Sequence, residues 1–321
     1  MRTILIRDAQ LVTRKSRSGI LIYKNSYKKE VNLRDIEALI ILGSKTKIDT
    51  GVITLLSRYN IPVSIVSKIG VSIMTTPVIT LYNEIRKSQY TLNDQEKIDL
   101  MTEILISKFK GLSNILKYHE KDPPEPENIQ AKNGEELLRW EAQTSRTYWK
   151  LLIELIPEKL LRELKQKYDF QGRRPRAKDP FNQAISLLYA ILYSIATRAL
   201  LASGLDPTYG LHHKTRYSTP LVFDYTEMYK PIAIHAVIKY LRKTNKLPEL
   251  DEEGYISKES MNTLMKEFYS ILRAKIRETK IIPYKAIYVN ALKLAKRIRT
   301  KDNTIRYTYT YNPKKLLYSQ E

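Results

Sequence analysis

Around residue 80 the hydrophobic rhythm of the chain changes period, and no single type of secondary structure accommodates both halves. Before that point, short runs rich in Ile, Val and Leu (Thr3–Ile6, Ile20–Tyr23, Ala38–Leu42, Val63–Ser67 and Val71–Thr75) are separated by polar turns such as RKSRSG and KNSYKK. This is a strand pattern. One segment departs from it: after Asp49 the spacing of Val52, Leu55, Leu56 and Tyr59 is helical and predicts a short helix leading to the strand after Pro62. Beyond residue 80 apolar residues recur about every 3.6 positions, and the period stays helical. The expectation is an α+β chain, a small N-terminal β-sheet domain followed by a larger all-α domain. Its boundaries are read as 1–82 for the sheet, 83–95 for a linker and 96–321 for the helices. A length of 321 residues accommodates two such units.

Lys and Arg number 55 against 34 acids, a formal charge of +21. Such a surplus attracts polyanions, so nucleic acid and an anionic membrane surface are the candidate partners. The membrane is disfavoured. No apolar run is read as approaching the roughly 18–20 residues of a spanning helix. MRTILIRDAQ is too short and too charged for a signal peptide, so a soluble, cytoplasmic protein is expected. The absence of cysteine removes disulfides and thiolate metal sites, leaving oxygen and nitrogen as the ligands any metal would find.

The sheet half has no histidine, and its acids are scattered. Chemistry concentrates in residues 210–231, GLHHKTRYSTPLVFDYTEMYKP, which hold His212 and His213, two of the chain's four histidines, ahead of Asp224 and Glu227. Thr219 and Pro220 read as a helix start, and acids three apart on that helix share a face. Carboxylates beside an imidazole form a ligand set for a divalent ion. A capped helix with one buried polar residue accounts for the same pattern. A second acid stands out on the helix through RWEAQ. Glu141 shares a face with Leu137, Leu138, Ser145, Tyr148 and Leu152, while Glu136, Arg139, Arg146 and Lys150 lie opposite. A carboxylate on a core-facing stripe loses hydration at a cost of several kcal/mol unless a cation replaces it, either a metal or an arginine from another helix.

FQGRRPRAK gathers Arg173, Arg174, Arg176 and Lys178 around Pro175, a clamp for phosphate or a solvated loop. Arg146, Lys214, Arg216 and Lys230 complete the candidate nucleic-acid contacts. Asp179 and Pro180 start the most hydrophobic helix, which runs to Gly204 and is expected at the domain's centre, with Asn182 near its start to orient a ligand residue or cap. His235, among Ile and Val, reads as a satisfied core residue, and His119 as solvent-facing. The Tyr-rich tail KDNTIRYTYTYNPKKLLYSQE is able to stack on bases, or else is a frayed or partner-docked tail.

These segments resemble the CRISPR-adaptation integrase family, the metal-dependent endonuclease Cas-one (Cas1), along nearly the whole chain. DIEALIILG and TGVITLLSRYNIPVSIVS carry the likeness in the sheet half; RWEAQ, GRRPRAKDPFNQAISLLY, GLDPTYGLHH and DYTEMYKP carry it in the helical half. The resemblance implies that the helical domain is catalytic and that residues 1–82 form the dimerisation or partner surface. It implies Glu141, His212 and Glu227 as ligands of Mg²⁺ or Mn²⁺, with Asp224 a neighbouring or alternative ligand and His212 favoured over His213. Where the family has Arg before Pro, Lys230 keeps the charge and loses the bidentate fork. The implied assembly is a homodimer that joins Cas-two (Cas2), captures DNA and inserts it into the CRISPR repeat array by attack of a 3′-hydroxyl on a phosphodiester. Two other readings fit the same residues: a metal-dependent repair nuclease acting on branched or single-stranded DNA, and a non-catalytic basic scaffold whose core carboxylates are ion-paired.

Overall fold

The structure, a computed structural model, describes residues 2–318 except 8, 25–26, 44, 60, 68–69, 75–82, 125–128, 130, 176 and 214–218. Its first half builds two sheets from β1 (Arg2–Arg7), β2 (Leu11–Arg14), β3 (Gly19–Lys24), β4 (Tyr27–Asn32), β5 (Ile36–Leu42), β6 (Val63–Ser67) and β7 (Gly70–Met74), with α1 (Thr50–Arg58) before β6. One sheet has the order β1-β5-β6-β7, with β1, β5 and β6 parallel and β7 antiparallel; the other is the antiparallel meander β2-β3-β4. All the expected strands are present, apart from Thr75, which lies outside the described residues. β2 and β4 were not expected. The segment YKKEVN pairs only with β3, so a single residue, Val31, must face the core, and the rest read as turn-like charge.

IEALIIL forms β5, buried along its whole length, as a strand covered on both faces requires. Leu39 and Ile41 join the core of the sheet unit, while Ile40 and Leu42 join the core of the helical one. A side-chain period of two therefore welds the units together. Polar contacts reinforce the weld: Tyr269 donates to Thr3 (2.5 Å), Thr3 donates to the buried Glu37 (3.2 Å), and Arg198 donates to the carbonyl of Ile36 (3.2 Å).

The helical unit comprises α2 (Asn83–Tyr90), α3 (Asp94–Tyr118), α4 (Gly134–Ile153), α5 (Glu158–Tyr168), α6 (Pro180–Ala202), α7 (Pro220–Thr226), α8 (Lys230–Thr244), α9 (Lys258–Arg273) and α10 (Pro283–Thr300), with a two-strand ribbon of β8 (Lys275–Ile276) and β9 (Leu316–Leu317). Helix α2 thus occupies part of the stretch read as linker. Asp179 caps α6 through the backbone N–H of Asn182 (2.8 Å), with Pro180 at the first position. By length and composition α6 is apolar enough to cross a membrane, which corrects the expectation that no such run exists. Here 78% of that apolar window is buried inside the protein, where α6 packs on α7, α8, α10 and the β5 and β6 strands.

The tail is part of the core. Tyr307, Tyr309 and Tyr311 are buried: Tyr307 donates to the carbonyl of Leu100 (2.8 Å), Tyr309 stacks on Tyr229, and Tyr311 receives Asn114 on its carbonyl (2.8 Å). Their rings are therefore not free to stack on bases. His235 is buried and satisfied as expected, its Nδ1 paired with the Tyr311 hydroxyl at 2.5 Å. His119 is half-buried against Tyr118 and His235, not solvent-facing, because α3 ends there beneath α8.

Burial, then the neighbouring His119 and Lys239, depress the pKa of His235 to about 3. An unfolded histidine titrates near ~6.5, so on acidification the unfolded chain takes up this proton first. The stability held by neutral His235 is complete above about 6.5 and is lost progressively as pH falls toward about 3. Urea midpoints should therefore drop between pH 7 and pH 5, and His235→Leu, although less stable at pH 7, should show a flatter profile over that interval.

Candidate metal centre and its basic surround

Helix α3 packs against both α4 and the 3-10 turn Glu227–Tyr229 that follows α7. On the apolar side of α3, between Leu105 and Leu112, lies Lys108. Its ammonium is 2.7 Å from Glu141 Oε1 on α4 and 2.8 Å from Glu227 Oε2. Lys230 pairs with the other oxygen, Glu227 Oε1. Side-chain exposure is only 3% at Glu227, 11% at Lys108, 16% at Glu141 and 17% at Lys230. Burial alone would raise the pKa of Glu227, but Lys108 and Lys230 hold its carboxyl well below the usual carboxylate range. The same carboxylates keep the Lys108 ammonium above its ordinary value in spite of burial. Lys108 lies off the hydrogen-bonding direction of Glu227 Oε2, so that oxygen has a cation beside it and no hydrogen bond.

Asp224 and Glu227 do not share a face of one α-helix. The helix tightens into the 3-10 turn at Glu227, and the two carboxylates serve different neighbours. Asp224, fully buried, accepts the backbone N–H groups of Leu211 (2.6 Å), His212 (3.0 Å) and His213 (3.1 Å), and the His213 ring nitrogen at 2.5 Å. Burial would lower the pKa of His213, yet the Asp224 contact leaves it raised. Gly210 is required where this loop closes, because a Cβ there would lie 2.8 Å from Pro220 Cβ and 2.9 Å from Asp224 Oδ2. Asp224→Ala should therefore cost about 3 kcal/mol or more, since several donors lose a charged acceptor together. Urea unfolding with limited proteolysis across 205–213 checks this, and Asp224→Asn should fall between.

His213, not His212, is the ring that Asp224 holds. The His212 ring lies beside the start of α4, its Nδ1 3.9 Å from where a Cβ on Gly134 would stand, about two turns before Glu141. Among the described residues no three His, Asp or Glu groups stand close enough to hold one metal ion. Glu141 and Glu227 are thus brought together, His212 is not beside them, and Asp224 positions the loop between. The two carboxylates suit a hard divalent cation, and the ammonium of Lys108 takes the place such an ion would have between them.

Basic groups surround this centre. Arg173 Nη1 donates to Asn182 Oδ1 (2.8 Å), which also accepts the N–H of Arg174 (3.0 Å), while Asn182 Nδ2 donates to the carbonyl of Gly172 (3.0 Å) and to Asp179 (2.7 Å). Asn182 therefore fixes the basic loop. The Arg173 guanidinium and the Lys230 ammonium both lie over the Tyr189 ring, 5.6 and 5.2 Å from its centroid. That shared ring brings the loop to the carboxylates. Arg146, Arg174 and Lys178 are exposed, whereas Arg176, Lys214 and Arg216 lie outside the described residues.

Sequence reasoning missed two residues. Lys108 is a cation on an apolar helical face, the same signal that singled out Glu141. Gln89 on α2 is fully buried, donates to the carbonyls of Asp206 (2.9 Å) and Tyr209 (2.8 Å), and accepts the N–H of Asp206 (2.8 Å), clamping the loop before His212. Nothing in its local sequence marks it.

A small two-sheet unit joined to a helical bundle, with two acids meeting beneath basic residues, defines the class of molecule. The model of the family "CRISPR associated protein Cas1" matches residues 4–270, and the chain belongs to that family. It is 27% identical over 307 residues to CRISPR-associated endonuclease Cas1 2 of Saccharolobus solfataricus, spanning 93% of this chain and 95% of that one. Against CRISPR-associated endonuclease Cas1 of Hyperthermus butylicus identity is 33%, over about half of each chain (47% and 49%). Among solved structures, a CAS1 protein from Thermotoga maritima superposes with a TM-score of 0.79 over 100% of both chains at 17% identity. A casposase bound to its integration product gives 0.80 over 97% of this chain and 95% of that one at 18% identity. These two likenesses concern the fold.

Proposed function

We propose that this chain is a metal-dependent DNA integrase and endonuclease that inserts spacer DNA into a CRISPR array. The observation that carries the reading is the convergence of Glu141 and Glu227 on a single cation under the Arg173–Lys230 surround, in a chain of the Cas1 family. Glu141 and Glu227 would hold Mg²⁺ or Mn²⁺, with His212 contributed by its loop. When bound, the ion supplies Lewis-acid stabilisation of charge on the scissile phosphate. Arg173 and Lys230 bind phosphate oxygens and orient the phosphodiester for in-line attack. In transfer, a 3′-oxygen forms a bond to phosphorus as the bond to the leaving oxygen breaks. The attacking hydroxyl gives up its proton to solvent, and the leaving oxygen is protonated from solvent. The sheet unit, 1–82, is the dimerisation and Cas2-facing surface, and the helices from 96 onward carry the reaction. Solved structures that share the fold include a TtCas1–DNA complex and a Cas6-RT-Cas1–Cas2 complex, which supports DNA and Cas2 as partners.

The test is a strand-transfer assay on a repeat-containing duplex with fragments bearing free 3′-ends, with and without Mn²⁺ and the small partner. Joined product that needs both metal and partner supports integration, whereas cleavage without joining indicates a repair nuclease using water. One observation favours a second reading, a non-catalytic basic scaffold: both central carboxylates are ion-paired to lysines. The absence of both joining and cleavage with Mn²⁺ would support that reading.

A further inference from the structure

The lysine between the two carboxylates bears on how the proposed centre is loaded. Lys108 is the one described side chain whose contacts bridge Glu141 and Glu227, one oxygen on each at 2.7 and 2.8 Å. Lys230 touches Glu227 alone and keeps a second seat over the Tyr189 ring. Lys108 sits across two acids that come from separate elements, and Glu227 Oε2 still lacks a hydrogen bond. A divalent ion bound to the same oxygens would lie within a few ångströms of that ammonium, where like charges repel strongly in a site so poorly exposed to solvent. The two cations therefore exclude each other. The lysine stem is a flexible four-carbon chain, and 11% of the side chain is solvent-exposed.

We infer that Lys108 is an internal counter-ion that occupies the cation position of the Glu141–Glu227 centre, weakens its affinity for divalent metal, and swings out when metal enters. This rests on the metal-site reading above. In the metal-free chain Lys108 prevents the buried Glu227 and the partly buried Glu141 from repelling each other, which preserves the centre at the expense of affinity. It is a positioning residue for those carboxylates, distinct from the groups that contact phosphate.

The test titrates the purified full chain with Mn²⁺ alone and follows free Mn²⁺ by electron paramagnetic resonance. Lys108→Met should bind Mn²⁺ at least ~10-fold more tightly than wild type, because a dication meets two uncompensated carboxylates. Glu141→Gln introduced into that variant should abolish the gain. A second readout uses only the wild-type chain: amine acetylation mapped by mass spectrometry, in which Lys108 should be protected without metal and several-fold more reactive at saturating Mn²⁺. It decides the matter if Lys108→Met does not fold. Equal or weaker Mn²⁺ binding by Lys108→Met, or Lys108 reactivity that does not rise with bound Mn²⁺, overturns the counter-ion role and leaves the metal site standing. If neither wild type nor variant binds Mn²⁺, the metal-site reading falls and this inference falls with it.

Discussion

Replacing Glu227 by alanine should cost the protein about 3–5 kcal/mol, while replacing Glu141 should cost about 1 kcal/mol, and both changes should abolish metal-dependent strand transfer. The difference comes from what each deletion leaves behind. Without Glu227, the ammonium groups of Lys108 and Lys230 lose a shared partner that is 3% exposed, and Lys230 is left with the neutral Tyr189 and Tyr193 side chains. Without Glu141, Lys108 keeps Glu227 at 2.8 Å, and the vacated position is already reached by water. Urea unfolding followed by circular dichroism measures the first effect, and the joining assay the second. DNA retention should persist in both variants, because Arg146, Arg174 and Lys178 on the surface are untouched. Full joining activity in either variant would sink the assignment of the two acids.

The second large effect is expected far from the chemistry. Tyr311→Ala should destabilise the chain by about 3–5 kcal/mol, since it removes a fully buried aromatic ring and leaves His235 without its hydroxyl partner. Tyr311→Phe keeps the ring and should cost about 1 kcal/mol. Chemical denaturation of both variants, compared with Tyr318→Ala at a half-exposed position, separates core packing from tail composition in general. A Tyr311→Ala variant as stable as wild type would show the tail to be a passenger.

The period change near residue 80, the α6 cap at Asp179, the core histidine at 235 and the placement of Glu141 were all legible in local spacing, because each is a property of one element. What was not legible depended on a partner element. YKKEVN looked like a turn because its only core contact is Val31 across from Ile20 on β3. Three-residue spacing puts Asp224 and Glu227 on one face of a continuous α-helix, whereas the chain tightens between them and sends Asp224 to the 211–213 loop. Leu138, placed with the core by angle, is 54% exposed, and Trp140 takes its place, since α4 meets α3 along a stripe rotated toward Leu137 and Tyr148. The Tyr-rich tail looked like a base-stacking surface, because composition alone does not show that Leu100, Asn114 and His235 await those tyrosines.

That tail has a consequence for synthesis. Tyr307 closes on Leu100 across 207 residues of sequence, and Asn114 meets Tyr311 across 197. At a translation rate of about 5–20 residues per second, α3 leaves the ribosome roughly 10–40 s before the tyrosine segment that seals it. Through that interval its apolar side can be covered by α4 and α8 but not completed, so the nascent helical unit presents a persistent sticky seam. A chaperone that recognises exposed aliphatic surface would find its longest-lived target along residues 100–115, and release should follow arrival of Tyr311. Released chains ending at 300 and at 318 should therefore differ sharply in protease resistance of α3, although nearly every helix is present in both.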